Sequence, residues 1–272
     1  MKKTIFITGT SSGLGKASAK YFADLGWNVA ATMRTPEKET ELTNYPGIKV
    51  FKLDITNLAE VASAIRDAIA AFGKVDVVLN NAGMGVYGAL ELAKEADIDQ
   101  QFAVNVRGAI NVIRAFLPHF RENGVGKFIN VSSFMGVTTG TPLGSLYNMS
   151  KFALEGLTEG LYYELRPLNI SLHLIEQGGS TDNDFIKKMT WNTSNEIKDY
   201  QALTTKVDTL FKSNDPFLKE DTLTLVKVIV GLATGESNKF RTVIGKTGND
   251  LMAMRNSMPI EQYLESIYAN FV

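Results

Sequence analysis

The chain lacks cysteine altogether and has only two histidines among its 272 residues. Without thiols it can form neither disulfides nor thiolate metal sites, so we predict no metal centre and no secreted disulfide scaffold. Charge of one sign is also lacking, because 28 basic residues face 29 acidic ones. Proteins that bind nucleic acid usually carry a basic excess, and we therefore do not expect nucleic acid as a partner.

Long hydrophobic runs are absent as well. The start, "MKKTIFITGT", has two lysines before an apolar run, but the run is short, threonines interrupt it, and no small-residue cleavage site follows. Elsewhere the apolar stretches fall well short of a membrane span. We expect a cytoplasmic protein with no membrane partner.

What the chain does contain is an alternation of short apolar runs with helical patterns. The runs are "TIFIT", "NVAATM", "IKVFKL", "VDVVLN", "KFINVSS" and "ISLHLIE". Segments such as 58–72 supply the helical crossovers that parallel strands require. The pattern predicts an α/β fold, a doubly wound parallel sheet with helices on both faces and strand order 3-2-1-4-5-6. Residues 241–245 are a possible seventh strand.

The length suits one large domain, so we predict a single dinucleotide-binding domain over residues 1–272. Residues 180–218 are polar and interrupt the βα rhythm, which indicates an insertion over the sheet edge that serves as a substrate lid. Residues 246–272 form a C-terminal extension with terminal helices.

A glycine-rich turn, "TGTSSGLG", follows the first predicted strand and leads into a helix. Gly9, Gly13 and Gly15 permit a tight turn and close approach of the backbone to a pyrophosphate. The helix N-terminus adds free N–H groups and a positive dipole end. The order of strand, glycine turn and helix favours a dinucleotide site.

The same residues also satisfy G-x-S-x-G, the nucleophile elbow of serine hydrolases, with Ser11 as the nucleophile. A hydrolase needs a later histidine, and His119 and His173 are the two in the chain. His119 lies near a helix end and His173 inside a predicted strand, so each is better interpreted as structural. The hydrolase remains the less favoured alternative.

Polar residues follow the predicted strands at their carboxyl ends, which is where ligands bind in a doubly wound sheet. Each of them alone could be a helix cap or a turn residue. Together they trace a path for a cofactor. They are Arg34, Asp54, Asn80, Asn81, Ala82, Gly83, Ser132 and Ser133.

With "TGTSSGLG", "LDI", "NNAG", "VNV", "VSS" and "YNMSK", residues 1–245 resemble the short-chain dehydrogenase/reductase family. The resemblance implies a catalytic tetrad of Asn105, Ser133, Tyr147 and Lys151. It places Asp54 at the adenine ring, Asn81 on the adenosine side, and Asn105 at a water site that connects Lys151 to solvent. The implied cofactor-binding residues are Gly9, Ser11, Ser12, Gly13, Leu14, Gly15, Arg34, Asp54, Ile55, Asn81, Ala82, Gly83, Tyr147, Lys151 and Gly178.

The pair Tyr147 and Lys151 makes chemical sense on a helix, because residues four apart share one face. A free tyrosine has a pKa near 10, and a neighbouring ammonium stabilises its phenolate. Ser133 can hold the substrate oxygen beside Tyr147, with Ser132 as a substitute for that role. The chain departs from the family at Gln177, where a proline is common after the sixth strand.

Cofactor choice depends on "AATMRT" at the end of the second strand. Enzymes that prefer NAD place a carboxylate there for the ribose hydroxyls, whereas this chain has Met33 followed by Arg34. A guanidinium is suited to a 2′-phosphate, so we predict that NADP(H) is preferred and NAD(H) is possible.

We predict an oxidoreductase that acts on a small-molecule carbonyl or secondary alcohol and assembles as a homodimer or homotetramer. The alternative from another class is a non-catalytic dinucleotide-binding regulator, which would have little need for Tyr147. Candidate residues of the substrate pocket are apolar: Val86, Tyr87, Val137, Leu143, Phe185 and Met189.

Overall fold

The computed structural model describes residues 2–180, 185–213 and 219–271. A seven-stranded parallel sheet lies at its centre, with the strand order 3-2-1-4-5-6-7. The predicted order of the first six strands is confirmed, and the seventh adds to the edge beside the sixth. The strands are β1 (Thr4–Thr8), β2 (Asn28–Met33), β3 (Ile48–Lys52), β4 (Val77–Asn80), β5 (Gly126–Ser133), β6 (Ile170–Gln177) and β7 (Arg241–Val243).

Helices cover both faces of the sheet, as in the Rossmann arrangement. A core that includes Phe22 and Ile229 lies on one face, and a second core with Phe116 and Leu165 lies on the other. A π-helical turn, Ala103–Gly108, joins two of the helices without a break. The longer helices are α1 (Gly13–Asp24), α2 (Leu58–Phe72), α3 (Glu95–Phe102), α4 (Ala109–Asn123), α5 (Ser145–Leu165), α6 (Gln201–Lys212), α7 (Thr222–Thr234), α8 (Lys246–Ser257) and α9 (Ile260–Tyr268).

Strand β1 shows why these strands read as unbroken apolar runs. All five of its residues are buried, because helices cover the sheet on both sides. Successive side chains point to opposite faces, so Ile5 and Ile7 join one core and Phe6 joins the other. Strand β1 ends at Thr8, and the glycine turn begins at the next residue.

Helix α2 illustrates how local signals set the ends of a crossover. The Asn57 side chain accepts hydrogen bonds from the amides of Ala59 and Glu60, which caps the first turn. Gly73 ends the helix with a φ of 82°, a conformation that favours glycine. Between these ends, α2 buries its apolar side against the sheet and α4.

The segment predicted as a lid contains regular structure where it is described. A short helix, Phe185–Lys188, precedes a strand, Thr190–Asn192, that pairs in parallel with Val86–Gly88. Helix α6 follows, and Lys219–Glu220 pairs with Gly179–Ser180. Residues 181–184 and 214–218 of the predicted lid lie outside the described residues. Within the described ranges, no helix is both long and apolar enough to cross a bilayer.

Candidate active site

The glycine turn after β1 has backbone angles and contacts that only glycine accommodates without strain. Gly9 and Gly13 have φ values of 73° and 56°, in the left-handed region that side chains disfavour. A Cβ on Gly15 would lie 2.3 Å from the Gly9 carbonyl oxygen. Ser12 precedes α1, and its side chain makes no capping hydrogen bond to that helix. The first turn of α1 can therefore offer its N–H groups to an anion.

Asn81 holds this turn in place. Its side-chain amide donates to the carbonyl oxygens of Thr8 at 2.9 Å and Gly9 at 3.1 Å. The Thr8 hydroxyl in return accepts from the amides of Asn81 and Ala82, both at 3.0 Å. Both side-chain N–H groups of Asn81 are directed at the turn, and its implied role on the adenosine side stays a prediction.

Arg34 and Asp54 lie at the carboxyl ends of β2 and β3 and line the same cavity. One Asp54 oxygen accepts from the Thr56 amide and hydroxyl, at 2.9 and 2.7 Å. Arg34 is exposed and forms no ion pair with any described residue. The nearby carboxylate of Glu39 instead pairs with Lys16 at 3.1 Å. The Arg34 guanidinium is therefore available to an anionic ligand.

A cavity of about 820 Å³ lies at the carboxyl ends of the strands. It extends from the glycine turn to Tyr147 and the aromatic residues around it. It brings together nearly all of the residues predicted for cofactor binding and catalysis. Gly15, predicted for cofactor binding, and Asn105, predicted as catalytic, are not among the lining residues. The predicted residues that line it are Gly9, Ser11, Ser12, Gly13, Leu14, Arg34, Asp54, Ile55, Asn81, Ala82, Gly83, Ser133, Tyr147, Lys151 and Gly178.

Tyr147 and Lys151 lie one turn apart on α5, and both side chains are buried. The Lys151 Nζ donates to the carbonyl oxygen of Val131 at 2.9 Å and lies 5.8 Å from the Tyr147 ring centroid. Burial raises the pKa of Tyr147 to about 12, and a hydrogen bond with Ser133 opposes this. Burial also lowers the pKa of Lys151 to about 8, opposed by Glu155.

The expected lowering of the Tyr147 pKa by Lys151 is therefore not what dominates in this structure. Removing the phenolate from water costs more free energy than the neighbouring ammonium returns. The tyrosine is a neutral hydroxyl across the physiological pH range. In that state it is a proton donor.

The two serines at the end of β5 have different neighbours. Ser133 interacts with Tyr147, and its Oγ also accepts from the Met135 amide at 3.2 Å. Ser132 lies instead beside Glu155. Because adjacent strand residues point to opposite faces, the two cannot exchange roles. Ser133 is the one placed with Tyr147, and Ser132 is no substitute for it.

Asn105 lies in the π-helical turn and clamps the backbone of Met84. Its Oδ1 accepts from the Met84 amide and its Nδ2 donates to the Met84 carbonyl oxygen, both at 2.9 Å. Nδ2 also donates to the Ser150 hydroxyl at 3.0 Å. Asn105 thus fixes the strand-four loop against α5, and its implied water site stays a prediction.

Gln101 is a second amide in this network that the sequence reasoning missed. Its Oε1 accepts from the Val86 amide at 2.7 Å, and its Nε2 donates to Ser150 at 3.1 Å. It lies four residues before Asn105, on the same helical face. That spacing of two amides was the available signal.

Aromatic side chains pack on the ring of Tyr147. Tyr87 stacks on it with ring centroids 5.5 Å apart, and Phe185 lies 5.7 Å away. Trp191 and Phe211 pack in turn on Tyr87. Of the predicted pocket residues, Tyr87, Phe185 and Met189 line the cavity, whereas Val86, Val137 and Leu143 do not. Cavity residues that were missed are Phe134, Met135, Ile186, Leu210, Phe211, Leu251, Ile267 and Phe271.

Neither histidine is placed to serve Ser11 in a hydrolase. The His119 Nε2 lies 3.1 Å from the backbone nitrogen of Val75, before β4 and thus at the opposite edge of the sheet from the glycine turn. The His173 Nδ1 lies 2.7 Å from the Lys239 carbonyl oxygen, on a strand separated from β1 by β4 and β5. Neither histidine can therefore act as the base that the serine-hydrolase interpretation requires.

Known proteins share this architecture. A family model described as short chain dehydrogenase matches residues 3–191. A 3-ketodihydrosphingosine reductase of Bacteroides thetaiotaomicron is 40% identical over 190 residues, 68% of each chain.

Three solved structures superpose closely on the chain. A short-chain dehydrogenase from Streptomyces avermitilis has a TM-score of 0.82 and 28% identity, covering 99% of this chain and 94% of its own. ElxO with NADP bound has a TM-score of 0.74 and 27% identity, with 90% and 96% covered. A 3-ketoacyl-(acyl-carrier-protein) reductase from Brucella melitensis, complexed with NADH, has a TM-score of 0.74 and 25% identity, with 89% and 96% covered.

Proposed function

Because the chain belongs to the short-chain dehydrogenase/reductase family, we propose that it is an NADP(H)-preferring enzyme that interconverts a ketone and a secondary alcohol. One observation carries this proposal. The hydroxyls of Ser133 and Tyr147 and the Lys151 ammonium meet inside a cavity that continues to a glycine turn and a helix N-terminus. A non-catalytic binding protein has no use for a buried, neutral tyrosine at that point.

The residues present fit a nicotinamide dinucleotide. The open first turn of α1 and the positive φ of Gly9 and Gly13 suit a diphosphate, because backbone N–H groups can approach it closely. Arg34, exposed at the cavity edge and without a carboxylate partner in the described part of the chain, suits a 2′-phosphate. Asp54 and Ile55 suit the adenine side. NAD(H) is also accommodated in principle, and the similar Brucella reductase is complexed with NADH.

The side chains divide the chemistry among them. The bound nicotinamide supplies or accepts the hydride. In reduction, Ser133 donates a hydrogen bond to the substrate oxygen and Tyr147 transfers its proton to that oxygen. Lys151 stabilises the phenolate that remains, because an opposite charge close to a buried oxygen lowers the cost of its ionisation. In oxidation, the same groups act in reverse.

The substrate side of the cavity favours an apolar ketone. Tyr87, Phe185, Met189 and Phe211 line it. Of the charged lining residues, Arg34 and Asp54 lie on the cofactor path, Lys151 is in the tetrad, and Lys188 donates to Ser12 of the glycine turn. Burying a charged substrate group there without a partner would be costly. The name of the 3-ketodihydrosphingosine reductase relative is consistent with a ketone that carries an aliphatic chain.

We also propose that residues 180–218 act as a lid. In the described part of this segment, Lys188 Nζ donates to the Ser12 hydroxyl at 3.0 Å, so the segment contacts the glycine turn. Bound cofactor should strengthen this closure. NADPH should slow limited proteolysis within the segment, and equal cleavage with saturating NADPH would reject the lid.

The experiment for the function itself is a panel assay. Purified protein is mixed with NADPH or NADH and ketones of graded chain length, and loss of the reduced cofactor is followed by absorbance. We expect turnover of apolar ketones with a higher kcat/KM for NADPH. No turnover of any ketone or alcohol with either cofactor would contradict the proposal.

A further inference from the structure

Helix α5 carries a row of four titratable side chains at four-residue intervals: Tyr147, Lys151, Glu155 and Glu159. This spacing places them on one face of the helix. Arg241 of β7 meets the second half of the row, donating to Glu155 Oε2 and Glu159 Oε1, both at 2.9 Å. Its Nε also pairs with Glu176 of β6. A charged cluster thus continues directly from the proposed catalytic pair.

Two of these carboxyl groups are deeply buried. The side chains of Glu155 and Glu176 are 5% and 0% exposed, against 54% for Glu159. One guanidinium cannot neutralise two buried carboxylates, and an unpaired buried charge is costly, so the pair should keep one proton. Burial and the neighbouring Glu155 raise the pKa of Glu176 to about 8. Burial raises the pKa of Glu155 as well, opposed by its hydrogen bonds with Ser132 and Arg241. Because Glu155 accepts from the Arg241 guanidinium at 2.9 Å, we expect Glu155 to be the ionised member of the pair and Glu176 to hold the proton.

Glu155 and Lys151 pack against the same point of the backbone. A Cβ built on Gly136 would lie 3.1 Å from both Glu155 Cγ and Lys151 Cβ, and 2.7 Å from Ser132 Oγ. Only glycine leaves room for the two side chains to lie side by side here. The elements packed around this pair carry further titratable or charged groups. They are Tyr147 and Glu159 on α5, His173 and Glu176 on β6, Lys127 on β5, Arg241 on β7, Glu95, Asp97 and Asp99 on α3, Tyr87 beside the tetrad and the exposed Arg107 of the π-helical turn.

We propose that Glu155 is a positioning residue whose buried carboxylate, held ionised by Arg241, keeps the Lys151 side chain as an ammonium ion. Lys151 is desolvated, so it needs a counter-charge to remain protonated near neutrality. Val131 offers only a carbonyl oxygen, and Glu155, one turn farther along the same face of α5, is the carboxylate whose charge raises the pKa of Lys151. The catalytic consequence rests on the role proposed for Lys151, whereas the charge relation itself does not.

The direct test is the titration of Lys151 by NMR in the cofactor-free protein. Lysines are labelled with ¹³C at Cε, and the Lys151 signal is identified by its loss in Lys151→Met. Glu155→Gln should lower the titration midpoint of Lys151 by about one pH unit, because the opposite charge is removed while the shape is kept. Glu155→Asp should restore most of the shift. An unchanged midpoint in Glu155→Gln would overturn the proposal.

Glu159→Gln is the matched control. Glu159 binds the same arginine at the same distance, but its carboxylate is exposed and solvent screens it. The Lys151 midpoint should stay where it is in the wild type. A shift as large as that of Glu155→Gln would assign the effect to Arg241 and reject a specific role for Glu155.

Activity then separates this proposal from the proposed function. If the protein reduces ketones, the loss of kcat/KM at alkaline pH should move down with the Lys151 midpoint in Glu155→Gln and not in Glu159→Gln. A protein that turns over no substrate would still show the NMR shift, so the two failures differ. A merely structural role would lower the melting temperature without moving either midpoint.

If Glu155→Gln does not fold, the wild type still decides the matter. Glutamate labelled with ¹³C at Cδ reports the state of each carboxyl group, with Glu176 assigned by its loss in Glu176→Gln. At neutral pH we expect Glu155 ionised and Glu176 protonated. A protonated Glu155 under these conditions would overturn the proposal.

Discussion

The two halves of the cavity are built from different materials. The centre of the cofactor half is backbone: the turn from Gly9 to Gly15, held by Asn81 and opening onto the first turn of α1. The substrate half consists of large side chains, with Tyr87, Phe185 and Phe211 packed around Tyr147. Short local motifs specify the first half, whereas the second half exists only when distant segments of the chain come together.

This difference separates chemistry from selectivity. Polar groups that are held by specific hydrogen bonds tolerate little change, because each partner is left unsatisfied when the other is altered. An apolar wall accepts substitutions of similar volume. We therefore expect changes in the cofactor half and the tetrad to affect every substrate alike, and changes in the aromatic wall to affect substrates according to their size.

The largest effect should come from Tyr147→Phe, which removes a single oxygen at the junction of the two halves. General acid catalysis contributes on the order of a hundred- to ten-thousand-fold, so we expect kcat to fall by about a thousandfold. The NADPH dissociation constant, measured by fluorescence of the bound cofactor, should change little. Tyr163→Phe, an exposed tyrosine on the same helix, should leave both quantities as in the wild type.

A double substitution in the cofactor half, Met33→Asp with Arg34→Leu, should exchange the preferred cofactor. The carboxylate offers a partner for ribose hydroxyls and repels a 2′-phosphate, while loss of the guanidinium removes its partner. A charge-assisted contact corresponds to about 1.5 to 3 kcal/mol, or roughly ten- to a hundredfold in affinity. The ratio of kcat/KM for NADPH and NADH should shift by that factor.

Lys38→Leu, which removes an exposed cation of the same loop, is the control and should not shift this ratio. A wild type that favours NADH would contradict the role proposed for Arg34.

Gly15→Ala tests whether the cofactor half depends on its backbone contacts. The new methyl would lie 2.3 Å from the Gly9 carbonyl oxygen, so the turn must move. Such overpacking costs typically about 1 to 3 kcal/mol of unfolding free energy, and NADPH binding should weaken with it. In Gly156→Ala the methyl meets no atom within 4 Å, and a helical alanine should stabilise the protein slightly. Chemical denaturation of both variants, with NADPH titrations, measures the contrast.

The smallest effect should come from Phe185→Ala in the substrate half. Truncation removes part of the wall over Tyr147, so kcat/KM for long-chain ketones should fall by about tenfold, and much less for small ketones. NADPH affinity should be unaffected. Leu264→Ala, an exposed apolar residue on α9, serves as the control. An equal loss for all ketones would contradict the division between the two halves.

The sequence predicted the cofactor half well, because its signals are local. The positions of the strands along the chain, the span of α2, the glycine turn and the spacing of Tyr147 and Lys151 all depend on residues close together in the chain. The substrate half could not be predicted in the same way. Phe211, Leu251 and Ile267 reach the cavity from helices whose packing no local pattern specifies.

The sequence contained only weak signals of the buried polar residues that surround the tetrad. Gln101 and Asn105 are four apart, as are Lys151, Glu155 and Glu159, yet such spacing is equally common on solvated helix faces. Only burial, which depends on the whole fold, separates the two cases. The direction of the Tyr147 pKa was misjudged for the same reason, because its desolvation cannot be seen from Lys151 alone.

The most direct test of the central claim is a single-turnover reaction with NADPH deuterated at the transferable position of the nicotinamide, using an apolar ketone. Mass spectrometry of the alcohol should find one deuterium on the former carbonyl carbon, formed by the wild type and about a thousandfold more slowly by Tyr147→Phe. An alcohol without deuterium, or equal rates in the two proteins, would contradict hydride transfer assisted by Tyr147.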